Sequence, residues 1–259
     1  MSWLLTDKGK IYFRSNTDQL EDRPLLILLH GAGSDSRVWT ALFPLLKEDI
    51  SVVTPDLPGH GKSEGKAASD LSEYLWIVDA LSEEFRAEKF FLGGHSMGGA
   101  ITLLYSIKNR EKLMGSIIIA SSSTLPVNPQ LFDVIQNNFE LTASLSTQFS
   151  FSKSGEDVDF YREMTTQMIK ENGSETLYID MKACDNYSVE KELNTLTMPK
   201  LLLAGEKDRM VSIKNIEEFY SQLPDPKELK IFSEAGHMVI LEEPEGVSSA
   251  IKKFVLSAH

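Results

Sequence analysis

A chain of 259 residues with 42% hydrophobic and 25% charged side chains has an ordinary globular make-up and is long enough to bury one large core. Its formal net charge of −12 argues against nucleic acid or an anionic membrane surface as partner. The one cysteine, Cys184, leaves no partner for an intrachain disulfide and no cysteine-built metal site.

The N-terminal stretch from Met1 to Lys8 has no basic region before a long apolar run, so no signal peptide is expected there. Trp3 to Thr6 and Ile11 to Phe13 flank a turn-like Asp7–Lys10 and predict a hairpin. Leu25 to Leu29 is a continuous apolar run, as in strands covered on both faces of a parallel sheet, and is far too short to span a bilayer. Trp39, Leu42, Phe43 and Leu46 recur at helical spacing, and Ile50 to Thr54 predicts the next strand. After a Gly- and Pro-rich loop from Pro55 to Ala68, Asp70 is placed to cap a helix, with Glu73 three residues on.

Phe90 to Leu92 predicts a strand that runs into Gly93–Gly99, and helical sequence follows from Ala100 to about Asn109. Strands are predicted at Ser116–Ala120, Lys200–Ala204 and Leu229–Phe232. Ile213, Ile216, Phe219, Tyr220 and Leu223 mark one helix face, and Val247, Ala250, Ile251, Phe254 and Val255 another. This alternation predicts an α/β protein with a mostly parallel, doubly wound sheet. From Ser121 to Met198 the strands stop and helix-like stretches rich in Phe, Met and Tyr take over. The expected organisation is a core in two parts, residues 1–120 and 199–259, with a helical cap at 121–198.

Gly94-His95-Ser96-Met97-Gly98 places a serine between glycines, straight after a strand and before a helix. A serine on so sharp a turn needs strained dihedrals, and side chains two residues to either side would meet backbone, so glycine fits both places. The turn lifts Oγ clear of the sheet and sets the Met97 N–H at a helix N-terminus, where an oxyanion can develop. A hydroxyl needs a base. Of the five histidines, His95 lies inside the elbow, His259 is terminal, His30 suits a backbone role, and His60 sits in a Gly-rich loop with nothing to support it. His237, in the loop after the last strand, is the expected base. The orienting acid falls between serine and histidine when the serine sits on such an elbow; Asp208 follows a strand and is preferred over Glu206. The stretch after the preceding strand, Ser121 to Pro126, holds no carboxylate. His30-Gly31-Ala32-Gly33 matches the loop that supplies a second oxyanion N–H, by position that of Ala32.

With these stations and the loop from Asp56 to Ser63, the chain resembles the α/β-hydrolase superfamily over nearly its whole length. The resemblance implies that fold, an oxyanion hole at Ala32 and Met97, Ser96 as nucleophile, Asp208 as acid and His237 as base. The Asp56–Ser63 loop looks structural. Serine at the elbow speaks against branches that use a carboxylate nucleophile, and Met238 after the histidine weakens a C–C hydrolase reading. The run from Gly236 to Pro244 looks most like carboxylesterases and monoglyceride-lipase-like enzymes.

The expected activity is therefore hydrolysis of a small-molecule carboxylic ester with a small to medium apolar acyl group, without metal or organic cofactor, in the cytoplasm. A lactonase, thioesterase or C–C hydrolase of the same fold is an alternative, as is a ligand receptor with little turnover. Phe151, Phe160 and Met164, in the middle of the insertion, are the expected pocket lining.

Overall fold

The computed structural model describes residues 2–17 and 23–257; His259 lies outside the described residues. Eight strands form one sheet in the order β1-β2-β4-β3-β5-β6-β7-β8. The hairpin is β1 (Ser2–Thr6) with β2 (Gly9–Ser15), in antiparallel register Trp3 to Tyr12 and Leu4 to Ile11. β2 also runs antiparallel to β4 (Ser51–Pro55), and every pairing from β4 onward is parallel. The parallel strands are β3 (Leu25–Leu29), β4, β5 (Phe90–His95), β6 (Leu113–Ile119), β7 (Lys200–Gly205) and β8 (Lys227–Phe232). β3 and β5 are buried at every residue, which is why they read as unbroken apolar runs rather than alternating ones.

Helices cover both faces. On one face, Ile27 and Leu92 pack with α2 (Leu75–Glu84) and α3 (Met97–Lys108). On the other, Leu26, Phe91 and Leu203 pack with α1 (Phe43–Leu46), α8 (Val239–Glu242) and α9 (Pro244–Ser257). α7 (Ile213–Gln222) adds Ile216 and Phe219 to the first core. The helix expected from Trp39 to Leu46 is instead a 3₁₀ turn, Ser36–Trp39, and the single turn α1. Pro44 at its N-terminus suits the start of a helix but not its interior, so the helical spacing there belongs to two short turns.

Between β6 and β7 come α4 (Pro129–Asn137), α5 (Phe139–Ser150) and α6 (Glu156–Asp185), which form a small core of their own from Phe132, Ile135, Ala143, Ile169, Leu177 and Met181. α6 is two helical pieces meeting at Gly173, whose φ of 87° breaks the helix. The strand order reverses direction around β3: the chain moves from β3 out to β4, then returns to β5 on the other side. Such a reversal leaves a crevice at the carboxyl ends of β3 and β5, where α/β sheets bind ligands.

Candidate active site

Ser96 follows β5 at that crevice, with φ 54° and ψ −115°. This non-glycine residue at positive φ is locally strained, and the surroundings enforce it. Its N–H donates to the Ile119 carbonyl of β6 at 2.9 Å, and its own carbonyl accepts from Gly99 N–H at 2.9 Å. A Cβ on Gly94 would lie 2.1 Å from the Gly98 carbonyl oxygen, and one on Gly98 would lie 2.1 Å from that of Leu29. The elbow is thus pressed against β3 with room only for glycine on either side. Met97 is the first residue of α3, so its N–H is among those left without an intrahelical acceptor.

His237 follows β8, and its Nδ1–H donates to Asp208 Oδ2 at 2.8 Å, with both residues buried. Asp208 Oδ1 accepts from the N–H groups of Met210 at 2.7 Å and Val211 at 2.9 Å. Burial alone raises a carboxyl pKa; the His237 ring and these two donors outweigh it and hold Asp208 below the ordinary carboxylate value. The two loops are tied together by Glu206 N–H to the Phe232 carbonyl and Lys207 N–H to the Ala235 carbonyl, each 2.9 Å. Glu206 is exposed and contributes this backbone bond, whereas Asp208 points inward.

Ser96, His237 and Ala32 line the same two adjoining cavities. One, of about 80 Å³, is bounded by Leu125, Val127, Met181, Val211 and Asn215. The other, of about 60 Å³, reaches Ser146, Ser150, Ile169 and Leu177. Met181 and Met210 border both.

None of the three expected lining residues borders either cavity. Phe151 is buried in the core beneath α6, with the Arg162 guanidinium over its ring. Phe160 is 60% exposed and, with Met164, lines a separate cleft beside Arg14 and Arg37. The first half of α6 presents Thr165 and Ile169 to the site and keeps Phe160 and Met164 on another side, and its second half, beyond the Gly173 break, adds Leu177 and Met181. A position in the middle of the insertion does not fix which face of a helix meets the cavity.

The remaining histidines take backbone and pair roles. His30 Nε2 accepts the Leu57 N–H at 3.0 Å and its Nδ1–H donates to the Gly31 carbonyl at 2.9 Å. Burial and the neighbouring His60 lower its pKa to about 4. His60 cannot serve Ser96: its Nε2 meets Asp180 Oδ2 at 2.8 Å, and it borders neither cavity. Burial opposes charge on His60, but Asp180 overrides it and raises the pKa. Asp56 holds the Asp56–Ser63 loop in place, accepting from Ser36 N–H at 2.8 Å and Lys62 N–H at 2.9 Å.

Two supporting residues were not picked out from the sequence. His95 directs Nε2–H to the His237 carbonyl at 2.9 Å; burial, then His237, lower its pKa to about 3. Glu242 accepts from Gly236 N–H at 2.7 Å, Ser152 N–H at 2.8 Å and Lys153 N–H at 2.7 Å, fixing the histidine loop to the link between α5 and α6. The only local signal for Glu242 is an acid inside an apolar turn.

A strained serine on a strand-to-helix turn at the switch point of this sheet, with an acid and a histidine in the loops after later strands, is the arrangement of an α/β-hydrolase of the serine type. The chain belongs to the family described as serine aminopeptidase, S33, whose model matches residues 21–245. It is 30% identical over 246 residues to a monoglyceride lipase of Rattus norvegicus, covering 88% of this chain and 80% of that protein. It is 26% identical over 245 residues to a pimeloyl-[acyl-carrier protein] methyl ester esterase of Vibrio parahaemolyticus serotype O3:K6 (strain RIMD 2210633), covering 89% and 94%. An esterase from Exiguobacterium antarcticum superposes with a TM-score of 0.88 at 17% identity, covering 98% of each chain, and shares the fold. Among the described residues no helix is long and apolar enough to cross a membrane.

Proposed function

We propose that this serine ester hydrolase cleaves carboxylic esters of small to medium apolar acyl groups through an acyl-enzyme on Ser96. The observation that carries the reading is the strained Ser96 facing the same cavity as His237, whose far nitrogen is held by Asp208 at 2.8 Å. With Nδ1 donating to Asp208, the His237 Nε2 carries the lone pair and takes the Ser96 proton as Oγ attacks the ester carbon. The N–H groups of Met97 and Ala32 receive the oxyanion, and the imidazolium returns its proton to the departing alcohol. Water then repeats the cycle, releasing the acid and restoring Ser96.

The relatives cited, a monoglyceride lipase and a methyl ester esterase, are named for ester cleavage and favour an ester, although the family's own description names an aminopeptidase. Leu125, Val127, Met181 and Val211 give an apolar wall suited to an acyl chain. In this reading residues 121–198 act as a cap, because Met181 and Leu177 close the site from above the sheet. Steady-state hydrolysis of p-nitrophenyl butyrate, with loss of turnover in Ser96→Ala, tests the proposal; hydrolysis undiminished by that change overturns it.

A further inference from the structure

The loop carrying Ala32 is held from above by α6. Gly31 to Ser34 forms a turn closed by Ser34 N–H donating to the Gly31 carbonyl at 3.2 Å, with Gly33 at φ 63°. Asp180 Oδ2 accepts the Gly33 N–H at 2.7 Å, and the same oxygen meets His60 Nε2 at 2.8 Å. Asn172 Nδ2 donates to the carbonyls of Gly33 at 3.0 Å and Ser34 at 2.9 Å, while its Oδ1 accepts the Gly61 N–H at 2.7 Å. Leu177 closes the remaining space: a Cβ on Gly33 would lie 2.9 Å from its Cδ1. Asp180 and His60 are both fully buried, so their interaction is unscreened by water.

The Ala32 N–H belongs to the Gly31–Ala32 peptide, so its aim depends on where the whole turn sits against β3 and Ser96. Asp180, by accepting the Gly33 N–H, anchors the Ala32–Gly33 peptide that follows; were that bond lost by rotation, the Ala32 carbonyl oxygen would face the Asp180 carboxylate, acceptor against acceptor in a buried place. Asn172, by donating to the next two carbonyls, fixes the other side of the turn. We infer that Asp180 and Asn172 are positioning residues, which lock this turn so that the Ala32 N–H stays aimed at the oxyanion formed at Ser96, with His60 orienting Asp180. The oxyanion hole is thereby built by α6 as well as by β3. Neither residue borders either cavity beside Ser96, so their effect passes through the loop.

This inference rests on Ser96 being the nucleophile, and the experiment separates the two claims. Wild type, Asp180→Ala, Asp180→Asn and Asn172→Ala are compared with p-nitrophenyl butyrate, a trifluoromethyl ketone, and a fluorophosphonate probe read by mass spectrometry at Ser96. In Asp180→Ala, kcat should fall about tenfold to a hundredfold, less than the loss of a whole oxyanion donor, with KM changed by under about threefold. Affinity for the ketone, whose adduct carries the oxyanion, should fall by the same factor. Asp180→Asn, which keeps an oxygen acceptor for Gly33 N–H, should recover much of that loss. Asn172→Ala should show a smaller loss with the same split, and it decides the matter if Asp180→Ala does not fold. Unchanged kcat and ketone affinity in Asn172→Ala, or in a folded Asp180→Ala, overturn the inference. So does a fall in kcat with ketone affinity intact. Failure of the probe to label Ser96 in the wild type overturns the nucleophile assignment instead.

Discussion

His95 donates from Nε2 to the main-chain carbonyl of His237 at 2.9 Å, so the residue before Ser96 braces the histidine that faces it. The two rings lie 4.8 Å apart between centroids. With burial lowering its pKa to about 3, His95 stays neutral through the working range and remains a fixed donor. Replacing it by Ala strands a buried carbonyl acceptor, and unfolding free energy should drop by about 1–3 kcal/mol, with kcat falling alongside. Urea denaturation and ester kinetics check this; a variant of wild-type stability would show that the bond contributes nothing.

Two buried histidines with lowered pKa values, His30 and His95, set an acid limit on stability. His30, at about 4, and His95, at about 3, bind a proton in the unfolded chain near the ordinary 6.5 but not in the native state. Between pH 6.5 and about 4 the unfolded chain therefore holds more protons, so stability falls as pH falls. Each histidine contributes a slope of about 1.4 kcal/mol per pH unit over that window. His60 is raised, so its contribution is full below the unfolded value and is lost only above it, outside this window. His95→Gln, which keeps a donor but not the titration, should remove one histidine's share of the slope in denaturation curves from pH 6.5 to 4. An unchanged slope would mean that His95 is protonated in the native protein.

Asp208→Asn should lose up to about 10⁴ in kcat, because an amide can face the ring in the wrong tautomer. Glu206→Gln should stay near wild type, since Glu206 is exposed and its described bond is made by its backbone. The reverse order in kcat would transfer the acid role to Glu206.

The acyl-chain profile should respond to Met181 and ignore Phe160. Met181 borders both cavities at Ser96, whereas Phe160 is 60% exposed on another cleft. Met181→Trp should move the optimum of a p-nitrophenyl ester series to shorter acyl groups, each excluded methylene forfeiting up to about 0.8 kcal/mol of binding. Phe160→Ala should leave the series unchanged. A profile moved by Phe160→Ala and not by Met181→Trp would relocate the acyl site.

The elbow, the acid loop and the histidine loop were legible in the sequence because each is a local pattern: glycines flanking a serine, and polar residues straight after an apolar strand. The strand order brings them together without further information. The pocket was not legible in this way. Phe151, Phe160 and Met164 carry the right chemistry, but Phe151 lies in extended backbone after α5, and docking decides that α6 meets the site with Thr165 and Ile169 and not with Phe160 and Met164. The His60–Asp180 pair was hidden for a related reason: its members lie 120 residues apart, and neither belongs to a recognisable motif with the other. His60 thus looked like a spare histidine in a loop.

The central claim is that Ser96 forms the acyl-enzyme, and covalent trapping tests it most directly. Incubation with a fluorophosphonate, proteolysis and mass spectrometry should place one phosphonate on the peptide containing Ser96, with turnover lost in proportion to labelling. Labelling at another serine, or full ester turnover after complete modification of Ser96, would contradict it.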